Sequence, residues 1–319
     1  MSNGKASLLE DRVPRADAGP VMVRCTAPDA LSNLVSVLEL IADGQVRCTA
    51  GSRRPSAATM KLVEDVLVAG DFYDTGEEPI SAFAWPLLIQ AGGLARLAGS
   101  RLELSPRGRA ALASPSYEAL AALWARWLGS VSNDELARIE AIKGQRKPGT
   151  LTSAVSRRAA VAGGLSAMTP GAWTGVGKVL AILRAQQPPL VATRSLRALW
   201  RLYLTDSYYG SLGHVGPRAW DVVEGRYALC VLFEYAATAG LIDVAYTGAC
   251  GAREDYRALW GADQLSCLSR YDGLTAVRVN ELGTAILHDP LALTGLDLPV
   301  PRRAGTWAPD QTGARPSPL

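Results

Sequence analysis

The chain has 319 residues, 48% of them hydrophobic and 20% charged, a usage that excludes wholesale disorder, collagen-like repeats and coiled coil. Its length points first to two domains of ordinary size and second to one large domain. A formal net charge of +3 excludes a molecule whose overall field holds nucleic acid, so contact with a polyanion has to come from local clustering of the 28 arginines and 5 lysines.

Residues 1–21 are polar, rich in small residues and without hydrophobic periodicity, and are read as a disordered tail, as are residues 297–319. The first domain is expected over 22–143. After Asp29, read as an N-cap, Leu31, Leu34, Val35, Leu38 and Ile41 recur at helical spacing until Gly44 supplies a stop. Ser56 caps a second helix with Met60, Val63, Val66 and Leu67 on one face. A third, very apolar helix over 80–91 contains Pro86, which should delay or kink it. Gly93 to Leu97 and Arg101 to Leu104, separated by Ala98-Gly99-Ser100, read as a hairpin. Ser105-Pro106 and Ser114-Pro115 each open a further helix, and 133–142 closes the first half.

Residues 144–150, with Lys147, Pro148 and Gly149, are read as a linker between the halves. The second domain, 151–296, resumes with helices near 151–165 and 176–185. An irregular aromatic stretch over 192–216 follows, then one long helix over 219–238 with Trp220, Val223, Tyr227, Val231 and Tyr235 on its apolar side. Residues 241–246 and 274–279 read as strands, and Asn280 caps a final helix ending at His288.

Two distant segments match. Ala91-Gly92-Gly93-Leu94 parallels Thr238-Ala239-Gly240-Leu241, each after an apolar helix. Leu102, Leu104, Ser105, Gly108, Ala110 and Leu112 parallel Val277, Val279, Asn280, Gly283, Ala285 and Leu287. The later copy carries an insertion at 247–272 of mixed charge, suited to covering the fold or engaging a partner. Helix, Gly-Leu, strand, turn, strand and capped helix resembles the wing of a winged helix-turn-helix protein, over roughly 80–112 and 217–288. The stretch from Leu34 to Leu291, with Arg53-Arg54-Pro55-Ser56-Ala57-Ala58-Thr59 and Phe83-Ala84-Trp85-Pro86, looks like an uncharacterised bacterial family. The resemblance implies a mainly α fold with small β-hairpin wings, in two winged-helix-like units, and no activity. In a DNA-reading member, the helix before the wing presents polar and basic groups to base edges. Here those helices read Phe83 to Gln90 and Tyr227 to Glu234, faces suited to burial against protein.

Arg47, Arg53, Arg54, Ser56 and Thr59 gather before a helix N-terminus, where an anion is favoured, and the first wing adds Arg96, Arg101, Arg107 and Arg109. These nine form the expected phosphate-contacting set; an ordinary capped helix and a solvated loop are the plainer alternative. Lys143, Arg146, Lys147, Arg157 and Arg158 read as a solvated positive cluster near the boundary. Tyr208 to Gly216, rich in glycine and aromatics, reads as a packed turn, with base stacking or a ligand cradle as its functional alternative.

Five scattered cysteines without a CxxC pair indicate neither a disulfide framework nor a zinc site. His214 and His288 have no recognisable catalytic partner, and GxxxxGK[ST] is absent. The terminus lacks the apolar core of a signal peptide, and the longest apolar stretch, 227–246, carries Glu234 and Asp243, which argues against a membrane span. The expectation is therefore a cytoplasmic, non-catalytic protein without cofactor or metal. It would bind double-stranded DNA through its N-terminal half, mostly at the backbone; the alternative is an adaptor that engages a protein partner through its C-terminal half.

Overall fold

The computed structural model describes residues 19–73 and 78–298; the expected tails fall almost wholly outside them. The fold is mainly α with small antiparallel sheets, and one order of elements forms twice. In the first half, β1 (Met22–Arg24) leads into α1 (Ala27–Ala42), an extended segment at 46–48, α2 (Ala57–Val66) and α3 (Ser81–Ala91). The hairpin β2 (Ala95–Ala98) and β3 (Arg101–Leu104) follows, then α4 (Pro106–Ala113) and α5 (Tyr117–Leu128). In the second, α6 (Ala154–Ser166), β4 (Thr174–Gly175), α7 (Val176–Ala185) and the short α8 (Leu196–Leu199) precede α9, a helical run over 219–236. β5 (Ile242–Tyr246), β6 (Leu274–Val279) and α10 (Glu281–His288) complete it. Helix, short extended segment, helix, helix, strand, strand and helix occur in both, with α8 an additional short helix in the second.

The repeated residues explain why the same order forms twice. Gly93 and Gly240 end α3 and α9 at positive φ (74° and 82°), a conformation glycine adopts without a Cβ penalty. That turn lets Leu94 N–H donate to Ile89 O at 3.0 Å and Leu241 N–H to Ala236 O at 2.9 Å. Ser105 and Asn280 then cap α4 and α10, accepting from Gly108 N and Gly283 N, and each also donates to the preceding turn, at Gly93 O and Gly240 O. The caps bring those helices so close to the residue before β2 or β5 that a Cβ on Gly108 would lie 2.0 Å from Leu94 O, and one on Gly283 1.9 Å from Leu241 O. The paired glycines and caps of the pattern therefore each have a backbone task.

β2 and β3 pair antiparallel with Arg96 opposite Glu103 and Ala98 opposite Arg101, and residue 47 joins their free edge opposite Arg101. The second sheet runs β1-β5-β6-β4, antiparallel throughout. Its edge strand β1 comes from the start of the chain, and Thr26 fastens it by donating from its hydroxyl to Ile242 O and from its amide to Asp243 Oδ1. Residues 22–26 thus join the two halves, since Arg24 also donates to Gly70 O and Asp71 O and lies over the Phe72 ring. α1 begins at Ala27, with Asp29 inside its first turn rather than at the N-cap. α3 starts where Asp71 accepts from the amides of Ile80, Ser81 and Ala82, and it continues through Pro86.

One hydrophobic cluster runs from Ala27 to Leu293 and takes in both halves. Within it α3 packs against the 231–236 part of α9, and just beyond that part the Ser81 and Thr238 hydroxyls share a 2.9 Å hydrogen bond. Every residue from 222 to 247 is buried, so from residue 222 onward α9 has no solvent-facing side. The 144–150 stretch also packs in: Lys143 and Tyr203 exchange backbone hydrogen bonds, and Thr150 is buried. The 247–272 insertion folds down onto α9, with Arg226 bound to Asp272 and Asp255 and the Tyr271 hydroxyl donating to Glu234.

Candidate nucleic-acid interface

The nine residues expected to contact phosphate separate into two groups. Arg47, Arg96, Arg101, Arg107 and Arg109 are exposed on or beside the β2–β3 hairpin. Alternation along β3 turns Leu102 into the core and Arg101 and Glu103 to the outer face. Cross-strand pairing adds Arg47 and Arg96 to that face. Arg96, Arg101 and Arg109 line a shallow cleft of about 640 Å³ between the end of α1, the hairpin and α4, in which Glu103 is the single carboxylate. Glu103 offsets Arg96 through a 3.4 Å ion pair between two exposed side chains, and Arg109 is steadied by donating to Leu104 O. Arg47 and Arg101 face each other, and among the described residues neither pairs with a carboxylate.

Arg53 and Arg54 lie elsewhere. The 49–54 loop is closed by Thr49 N to Arg54 O and Arg53 N to Thr49 O, with Arg53 at φ 57°. Arg53 points to Ser132, while half-buried Arg54 reaches Ala137 O at 3.4 Å and leans over Phe83. Arg54 lines a second cleft of about 400 Å³ together with Phe83, Asp134, Arg138, Arg146 and Tyr235. Ser56 and Thr59 are spent internally. Ser56 Oγ accepts from Thr59 N, and the buried Thr59 hydroxyl accepts from Arg47 N and donates to Arg47 O. Neither hydroxyl is free to take a phosphate.

The helices that would read bases are withdrawn. Ser81 to Ile89 of α3 are all buried, as is α9 from residue 222 onward; α3 packs against α2 and α5 of its own half and against the 231–236 part of α9. Burying α9 also buries charges that the amphipathic reading of the sequence left aside. Glu234 receives Arg138 Nε at 2.9 and 3.2 Å, and Arg226 is held by Asp272 at 3.1 Å. Glu224 accepts from Ala192 N at 2.9 Å, and burial pushes its carboxyl up to about 7 despite that bond and the charges of Arg157 and Arg184. Arg157 and Arg158, expected in a solvated cluster, are buried as well: Arg158 binds Glu135 and the carbonyls of Trp127, Ser130 and Asn133, and Arg157 pairs with Asp134. Charge density in the sequence pointed to solvent because their partners lie more than twenty residues away along the chain.

Among the described residues no group of His, Cys, Asp and Glu could hold a metal, and no helix is long and apolar enough to cross a membrane. Comparison with protein-family models, curated proteins and solved structures finds no match to this chain.

Proposed function

We propose that the chain is a non-catalytic nucleic-acid-binding protein of two winged-helix-like units, whose first wing grips the phosphate backbone of duplex DNA while neither would-be reading helix meets a base. The observation that carries the reading is the outer face of the first wing, where Arg47 and Arg101 face each other, neither paired with a carboxylate among the described residues, and Arg96, Arg107 and Arg109 are exposed around them. The doubled order of elements supports the two-unit part of the reading. The mutual burial of α3 and α9 supports its restriction to backbone contacts, because base readout needs polar groups in the major groove. Five free cysteines fit a reducing cytoplasm.

An adaptor working through the second half is the rival reading. Its obvious surface, the 247–272 insertion, is folded onto the core by Arg226, Asp272 and Tyr271 and offers no projecting arm. The deciding experiment is duplex binding at low salt, with R47A/R101A as the variant. The proposal expects retention of wild type and a marked, sequence-independent weakening in the variant. Absence of retention, together with recovery of a stoichiometric protein partner after nuclease treatment, replaces it with the adaptor.

A further inference from the structure

The irregular 186–218 stretch, with Trp260 from the insertion, builds an aromatic surface. Tyr208 (73% exposed), Tyr209 (63%), Trp260 (51%) and Trp200 (50%) are large side chains open to solvent in a protein that buries most of its other aromatics. They are contiguous. Tyr208 and Tyr209 have ring centroids 5.1 Å apart, Tyr209 and Trp260 5.5 Å, and Trp200 and His214 4.6 Å. His214 Nε2 lies 3.1 Å from Tyr208 O and so ties the two ring groups together. The backbone beneath is fixed. Asp206 accepts from the amides of Tyr208 and Tyr209, which hold its carboxyl below the usual range. Leu212 N donates to Leu202 O, and Thr205 Oγ1 donates to Gly261 O beside Trp260.

The same scaffold carries positive charge along its other edge. Lys143 pairs with Tyr203, Arg201 donates to Pro148 O, and Arg194 donates to Leu151 O, so 143–151 runs beside 193–203. These two strips expose Lys143, Arg146, Lys147, Arg194, Arg197 and Arg201 and contain no carboxylate; the nearest acids in sequence are exposed Glu140, which faces Arg270 at 3.7 Å, and Asp206, engaged by the amides of Tyr208 and Tyr209. A row of cations flanking solvent-facing rings is the arrangement that takes a single-stranded nucleic acid, its phosphates on the cations and its unpaired bases stacked on the rings. A protein partner would use the rings but has no need of six unopposed cations.

We infer that this face is a single-stranded nucleic-acid platform, with Tyr208, Tyr209 and Trp260 as base-stacking residues and the 143–151 and 193–203 strips as the phosphate track. It is separate from the wing and does not depend on duplex binding there. The test uses the full chain and a labelled oligothymidylate of about 20 nucleotides, with a duplex of equal length alongside. Y208A/Y209A should weaken single-strand binding at least ~10-fold, leave duplex binding unchanged and, since both side chains are exposed, leave the thermal midpoint unchanged. K143A/R146A/K147A should flatten the salt dependence of single-strand binding, and R47A/R101A should leave it untouched. Single-strand binding by wild type should also quench tryptophan fluorescence, less so in W260F. Equal single-strand affinity of wild type and Y208A/Y209A overturns the inference, as does ring-dependent association with protein but not with the oligonucleotide.

Discussion

Arg138 is the sharpest probe of the seam between the halves. It comes from the first half, is 4% exposed at its side chain, and meets Glu234 of α9, which is fully buried. Its guanidinium donates to both Glu234 oxygens, to Glu78 Oε2 at 3.1 Å and to Pro79 O at 3.1 Å, and lies 3.5 Å from the Phe83 ring centroid. Arg138→Met keeps most of the volume but leaves the Glu234 carboxylate with the Tyr271 hydroxyl as its only remaining side-chain donor among the described residues. Stranding a buried charge in this way costs about 3–5 kcal/mol. The double variant R138M/E234M removes both charges and should recover at least ~2 kcal/mol of that loss, because an apolar replacement of a buried pair is far cheaper than half a pair. Urea unfolding of wild type, both single variants and the double variant closes the cycle. If R138M lies within about 1 kcal/mol of wild type, or the coupling falls below about 0.5 kcal/mol, then α3 and α9 are not locked together through this pair.

Two further outcomes bear on the architecture. Gly108→Ala and Gly283→Ala each drive a Cβ to about 2 Å from the carbonyl of the residue before β2 or β5, so both should lose more than about 2 kcal/mol in thermal or urea unfolding, whereas Gly177→Ala, in open space on α7, should be neutral or slightly stabilising. Loss at only one of the first two positions would break the equivalence of the halves. Glu224 gives a pH signature. Its carboxyl is raised from 4.5 to about 7, so the native state holds the proton more tightly than the unfolded chain. The stability linked to it is complete below pH 4.5, falls as pH rises through about 7, and amounts to about 3 kcal/mol. E224Q should match wild type near pH 4 and exceed it by a comparable amount at pH 8; a pH-independent difference between the two would refute the assignment.

The parts of this fold that were legible in the sequence are those fixed by local backbone demands. Gly93 and Gly240 must turn, Ser105 and Asn280 must cap, and Gly108 and Gly283 must let a strand pass, so the repeat showed directly in residue types and the strands and helices around it followed. β1 was not legible, because three residues with no alternation of their own become a strand only by pairing with Val244 to Tyr246. The charges of α9 and the fate of Arg157 and Arg158 were hidden for a related reason: whether a charge is solvated or paired depends on partners such as Glu135 and Arg138 that the chain brings in from afar. At the wing, the exposed arginines could be named from the hairpin pattern, but the withdrawal of Ser56 and Thr59 could not, since it rests on the Thr59 hydroxyl closing onto the Arg47 backbone. The aromatic turn at 208–216 was visible as composition. What turned it into a surface was Trp260, delivered from the insertion.

The central claim, backbone grip by a wing whose companion helices cannot read bases, is tested most directly by the salt dependence of duplex binding measured on two unrelated sequences. The account predicts affinities equal within a few-fold, log affinity falling linearly with log salt, and a slope lowered by about 2 in R47A/R101A. A preference of ~1,000-fold or more for one sequence, of the kind specific readers show, or a slope unchanged by the double substitution, would contradict it.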